Sequence, residues 1–449
     1  MKSTFSTFLF AAFLLFAGIL TTSSGCKTTP VTVEEETITN QYARLPLDID
    51  TETQKEANRF SWLTFIALNW PADTNTCGPD TSNGNTILSG NGPVVWETFL
   101  SSDQLFVAAP ATPDAWCAQD NSGKYFKTLP QKIQDLARKT GVYRFLHRNS
   151  KSPHGLEQAV GGPLVDQNGR FVRYEVRMNQ DEYNYIMTNS LWDTTGQHKF
   201  VADSTISMPA GPSSFGPVGA MEFKAAWKVI GKSDDASSFY TIKAIVYNDD
   251  AEDPSPGENP VTLGLVGLHI AHKTATQRNW VWSTFEHVDN LTKSFYNPAC
   301  DTCPINQPIT GTNYIELNPD GTPINAPTQV TRVNPIADTF VDSVNLHFQS
   351  LLKGSVWANY QLVSTQWLLF ENMNPEFLAN SVQETYVQGP NPPSYGGFKL
   401  TIDQQYYEDT LYQPFAPGIS ASCMGCHFVA NVPGSTAKAD FSFMLGEAK

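Results

Sequence analysis

Charge is scarce in this 449-residue chain. Asp, Glu, Lys and Arg make up 16% of it, against roughly 25% in an average soluble domain. Positive charge is scarcer still, with 29 Lys and Arg against 44 Asp and Glu, a net charge of −15. No basic stripe is present, which argues against a nucleic-acid partner. An acidic surface suits solubility and basic partners instead. Long apolar runs are also missing. The longest, Phe8 to Leu20, has 13 residues, and a spanning helix needs about 20. There is no internal repeat, no Walker loop, no Rossmann glycine pattern after a strand and no G-x-S-x-G elbow. Hydrophobic residues at 41% exclude global disorder. The length suits two or three domains, or one β-rich domain with an appendage.

Lys2 and the short apolar run read as an export signal, whose core needs about 7–15 residues. The following TTSSGCK, ending Ser24-Gly25-Cys26, resembles a bacterial lipobox, although Ser23 stands where Leu is usual. The resemblance implies cleavage before Cys26 and lipidation of that thiol. The mature chain then has 449 − 25 = 424 residues, and the loss of Lys2 makes the charge 28 − 44 = −16. The lipid would anchor the protein to a membrane, in the periplasm or at the cell surface. Residues 26–50 are rich in Thr, Glu and Pro and read as a flexible tether.

From residue 51 to 415 the pattern predicts one β-rich scaffold. Helices are expected over 51–70, 129–148 and 340–354, with a short one at DEYNYIMTNSLW. A hairpin is expected at Gln167-Asn168-Gly169. Strands are expected over 219–230, 239–248, 261–272, 280–288 and 356–370. The class is α+β, with an antiparallel, sandwich-like core, peripheral helices and a terminal tail (416–449) docked on the scaffold. Asn248 to Asp253 reads as a solvated acidic loop. The cysteines are Cys26, Cys77, Cys117, Cys300, Cys303, Cys423 and Cys426. With Cys26 lipidated and the last two otherwise used, four remain, an even number that suits an oxidising compartment. Cys77 with Cys117, and Cys300 with Cys303, are the disulfide candidates.

Cys423-Met424-Gly425-Cys426-His427 forms C-x-x-C-H, the attachment motif of c-type haem. Here the sequence resembles the c-type cytochromes. The spacing lets two thiols add to the two vinyl groups on one porphyrin edge while the adjacent imidazole reaches the iron. The resemblance implies one haem c, bonded through Cys423 and Cys426, with His427 as the proximal ligand. The likeness to the small cytochrome fold ends with the motif, since 22 residues follow His427. The opposite axial position has several candidates. Met444 lies 17 residues beyond His427, and a methionine ligand raises the potential relative to two histidines. His269, His272 and His287 are the alternatives. On a strand, His269 and His272 point to opposite faces. A hairpin centred near Thr276 sets His269 opposite Ser283 and His287 opposite Leu265, on one face and roughly 13 Å apart.

The chain is also similar to a set of large exported bacterial proteins described as cytochrome c family members. The likeness lies in Glu222 to Trp227, Gly267 to Ile270, Trp280 to Asn290, Asn359 to Leu362, Glu384 to Tyr386 and the terminal motif. It implies a haem-bearing unit and names no substrate. Trp280, Trp282 and Phe285 read as core. The expected function is electron transfer with a redox protein bearing a basic docking surface, sensitive to salt. The alternative is a haem-dependent oxidoreductase, peroxidase- or oxygenase-like, with an open iron site.

Overall fold

A computed structural model describes residues 36–49, 53–82, 84–90, 92–118, 123–147, 159, 162–212, 216–247, 259–308, 316–317, 322–323, 325–332, 336, 339–367, 379–388, 423–427 and 430–449. The expected export segment with Cys26, residues 27–35 of the expected tether, the expected acidic loop at 248–253 and the stretch 389–422 lie outside the described residues.

Thr53 starts the first helix, α1 (Gln54–Leu68): its hydroxyl oxygen accepts from Glu56 N and its hydroxyl donates to Glu56 Oε2. A ribbon of β1 (Ala72–Asp73) and β2 (Gly78–Pro79) follows, then β3 (Leu100–Ser101), α2 (Ser102–Leu105), α3 (Lys124–Thr128) and α4 (Gln131–Thr140). α4 is shorter than its apolar pattern predicts. Gly141 turns left-handed, φ 72°, and ends it; β4 (Phe145–His147) takes up the rest. Next come β5 (Arg173–Met178), α5 (Gln180–Thr188), α6 (Thr194–Asp203), β6 (Met221–Val229), β7 (Thr241–Tyr247), β8 (Val261–His272) and β9 (Val281–His287). α7 (Thr339–Leu351), β10 (Tyr360–Gln366) and the single turn α8 (Cys423–His427) complete the order. The expected hairpin turn is present, with Gly169 at φ 74° and Val165 bridged to Phe171.

The class is α+β with an antiparallel β-rich core. The main sheet runs β10-β9-β8-β6-β5-β3, all antiparallel. β8 is long enough to serve two partners on one edge. β7 pairs with its start and β9 with its end, while β4 joins β7 in parallel. Among the described residues, helices rather than a second large sheet cover the apolar face. Phe223, Ala225 and Trp227 alternate along β6 and meet Leu268 and Ile270 of β8 and Phe285 of β9. Trp62, Phe65 and Ile66 of α1 and Phe348 of α7 close this layer. A bulge between Ala226 and Trp227 restores the alternation on β8, so Leu263 and Leu265 also face inward. Buried polar bonds fix α1 in register: Ser61 Oγ bonds Ser283 and Thr365, both at 2.6 Å, and Trp62 Nε1 donates to Asn345 at 2.9 Å.

The opposite face carries Glu222, Lys224 and Ala226 of β6, His269 and Ala271 of β8, and Trp282 and Thr284 of β9. The terminal segment and residues 379–388 lie over this face. No described helix is long and apolar enough to cross a membrane.

Candidate haem site

α8 is anchored at both ends. Met424 N donates to Gln366 Oε1 at the end of β10, and the Met424 side chain is buried with Trp282, Met178 and Leu445. Ala430 N bonds back to His427 O. Cys423 and His427 are four residues apart and share a helix face; both are half-buried. The Cys426 side chain lies outside the described features.

The chain then folds back on itself. Asn431 bridges Lys438 around Gly434, and Ala439 N bonds Ala430 O. Asp440 and Phe441 follow, both left-handed at φ 53° and 69°. Two consecutive non-glycine residues in that region are uncommon and must be held. Asp440 Oδ2 accepts from Met208 N and from Lys273 Nζ, and Asp440 O accepts from Trp280 Nε1 at 3.0 Å. The turn brings the Phe441 carbonyl to 2.8 Å from His427 Nδ1.

A carbonyl only accepts, so Nδ1 carries a proton. Burial is the largest influence on the imidazole and lowers its pKa to about 4. Phe441 and Glu384 oppose the shift; Lys224 and His269 add to it. The ring is therefore neutral at pH 7, and Nε2 keeps a bare lone pair. Trp282 lies on one side of the ring, centroids 4.3 Å apart, and the edge contact with Phe443 is at 5.0 Å. A histidine fixed by a carbonyl on one nitrogen and bare on the other is the usual form of a metal-ligating imidazole. The residues described therefore fit an iron-bound imidazole.

The other candidates are separated by the sheet. The true register sets His269 opposite Thr284, not Ser283. A one-residue difference reverses every side chain of the partner strand, so His269 and His287 lie on opposite faces. His272 is buried against Phe60 of α1. Its Nε2 donates to Val218 O at 2.7 Å, and burial lowers its pKa to about 4. His287 stacks on Phe239, donates from Nε2 to Ser238 O and accepts Asp289 N at Nδ1; burial lowers its pKa as well. Met444 is buried in the same apolar cluster as Met178, Leu105 and Leu445, and Phe441 and Phe443, which precede it in the chain, both touch His427.

Only His269 shares the face of His427, and both of its nitrogens are engaged. Nδ1 meets Thr284 Oγ1 at 2.6 Å, and Nε2 meets Glu384 Oε1 at 2.9 Å and Oε2 at 3.0 Å. Glu384 also accepts Asn380 N. Burial works against its charge, but His269, Lys224 and these hydrogen bonds together hold its pKa below the ordinary carboxylate value. Lys224 sits beside His269 in register, with its ammonium 5.7 Å from the Tyr174 ring. Among the described residues, no group of three or more His, Cys, Asp or Glu forms a metal cage.

Cys77 is joined to Cys117 and Cys300 to Cys303. Of the three aromatics read as core, Phe285 and Trp280 are core, while Trp282 also touches His427. Sequence reasoning missed Lys224, Thr284 and Glu384 as site neighbours. They are distant in sequence, and no motif spacing joins them. No family model, no curated protein and no solved structure matches the chain.

Proposed function

We propose that the protein is an exported, lipid-anchored monohaem c-type cytochrome that transfers electrons. One observation carries the reading: the C-x-x-C-H turn ends in a neutral imidazole whose Nδ1 proton is held by Phe441 O, leaving Nε2 to a metal. In this reading Cys423 and Cys426 hold the haem covalently and His427 holds its iron. A haem so bound supplies a one-electron ferric–ferrous couple. The protein's part is to orient and insulate. Phe441 fixes the imidazole plane, a bond that strengthens the ligand's basicity. Trp282 and Met424 exclude water behind it. The acidic surface selects a basic redox partner, and salt weakens the association. Cys26 is the anchor, and the intact N-terminus would carry its lipid in a mass spectrum.

A second reading, a haem-dependent oxidoreductase, draws on the Lys224–His269–Thr284–Glu384 group beside His427. Optical spectra of the haem-matured protein, ferric and ferrous, with and without carbon monoxide, separate the two. A low-spin spectrum that ignores carbon monoxide supports electron transfer. A high-spin ferric spectrum with ready carbon monoxide binding supports the enzyme. His427→Ala should lose the low-spin spectrum while the thioether bonds persist. A protein with no covalent haem sinks both readings.

A further inference from the structure

Behind the turn that holds His427 lies a group of acids with too few donors. Glu182 of α5 is fully buried, and neither of its carboxyl oxygens has a hydrogen-bond partner among the described residues. Glu222 Oε1 of β6 is buried and likewise without a donor. The two carboxyls are within hydrogen-bonding reach of each other. One side chain forces the approach: Asn179 Oδ1 accepts both Glu182 N at 3.2 Å and Met221 N at 3.1 Å. Two ionised carboxylates cannot bond to one another. They can do so only by sharing a proton, which also satisfies the orphaned oxygens.

The groups facing the pair are one cation and two further acids. Lys273 lies just beyond β8, but its ammonium is already taken by Asp440. Asp440 and Glu447 come from the terminal segment, whose Ser442 hydroxyl bonds Glu222. Asp440 and Ser442 flank Phe441, the residue that holds His427. A second route crosses the sheet: Glu222 pairs with Ala271, Ala271 with Trp282, and Trp282 rests on the His427 ring. Packed, buried groups thus join the acid pair to the His427 ring by two routes.

We propose that Glu182 and Glu222 take up a proton when the group held by His427 is reduced and release it on oxidation, so that the protein moves an electron and a proton together. The inference rests on the haem reading above. The balance is simple: the electron comes from the redox partner, and the proton comes from water onto a carboxylate of the pair; both depart on oxidation. Burial, the largest influence, raises both acids, Glu182 well above its ordinary value and Glu222 to about 7. The pair therefore keeps one proton and exchanges the second near neutrality.

The test is the midpoint potential of the full-length, haem-loaded protein as a function of pH, read by optical spectroelectrochemistry. Between about pH 6 and 8 the potential should fall with a slope toward 59 mV per unit, the one-electron equivalent of a tenfold change. Glu222→Gln and Glu182→Gln should flatten it. Redox-difference infrared spectra of the wild type should contain a protonated-carboxyl band that shifts in D2O, a readout that needs no variant. A flat potential with haem attached, or no such band, overturns the coupling and leaves the haem reading intact. A slope unchanged in both variants overturns the assignment to this pair. A protein without covalent haem overturns the reading beneath it.

Discussion

Glu316 has no exposed surface, and its carboxylate lies between two guanidinium groups. Oε2 accepts from Arg173 Nη2 at 2.6 Å; Oε1 accepts from Arg170 Nε at 3.0 Å and Phe171 N at 2.7 Å. Burial alone would raise its pKa. Arg173, then Arg170, outweigh burial and bring it from 4.5 to about 2. Glu316→Gln keeps the shape and removes the charge, leaving Arg173 buried against a neutral amide. Loss of one partner of a buried pair costs about 3–5 kcal/mol. The gap between the two pKa values, at roughly 1.4 kcal/mol per unit, amounts to about 3 kcal/mol. The two routes agree, so a loss of about 3 kcal/mol is expected at pH 7. Because the folded pKa is the lower one, this contribution is complete above the ordinary value of 4.5 and gone once the pH reaches about 2. The stabilities of wild type and variant should therefore converge as pH falls through that window. Urea unfolding followed by fluorescence of the 10 tryptophans measures it. A difference under about 0.5 kcal/mol at pH 7, or a gap that pH does not change, would refute the reasoning.

Two further outcomes follow from the fold. Replacing Cys77 and Cys117 together by Ser opens a loop with a sequence separation of 40, and the chain-entropy model gives a loss of about 4 kcal/mol. A urea midpoint unchanged from that of the wild type would mean that the loop is equally constrained without the bridge. Gly267→Ala should destabilise by about 1–3 kcal/mol through overpacking, because its Cβ would meet Val382 Cγ2 at 2.8 Å and Asn380 Oδ1 at 3.1 Å. The strain falls on the segment carrying Glu384, so amide exchange at residues 380–386 should quicken; unchanged exchange would show that the segment yields without loosening.

Most elements were legible because their periods are clean. The alternation of Val261 to His272 placed β8 at its ends, and the capping pattern at the start of 51–70 placed α1 within three residues of its ends. The helix-covered main sheet was less legible, since alternation names a buried face without saying whether helices or strands cover it. The β8–β9 register was missed by one residue. The connecting loop contains Trp280 at φ 68°, a conformation no residue type announces when it is not glycine. That one residue separates His287 from His269. The C-x-x-C-H spacing was legible, whereas the carbonyl behind His427 was not. Phe441 bonds through its backbone, and only the tertiary anchors of Asp440 turn it there.

The seating of α1 has a consequence in time. Its bonds to Asn345 and Thr365 span 283 and 304 residues. At about 5–20 residues per second, the ribosome delivers Thr365 roughly 15–60 s after Ser61. Until β9 and β10 are made, Trp62, Phe65 and Ile66 lack part of the layer they enter. The first of the described α-helices thus waits for β10 before its polar bonds are complete, and the main core closes only after synthesis has passed β10. In the export proposed above, these apolar residues of α1 would travel unburied behind the N-terminal segment for that interval.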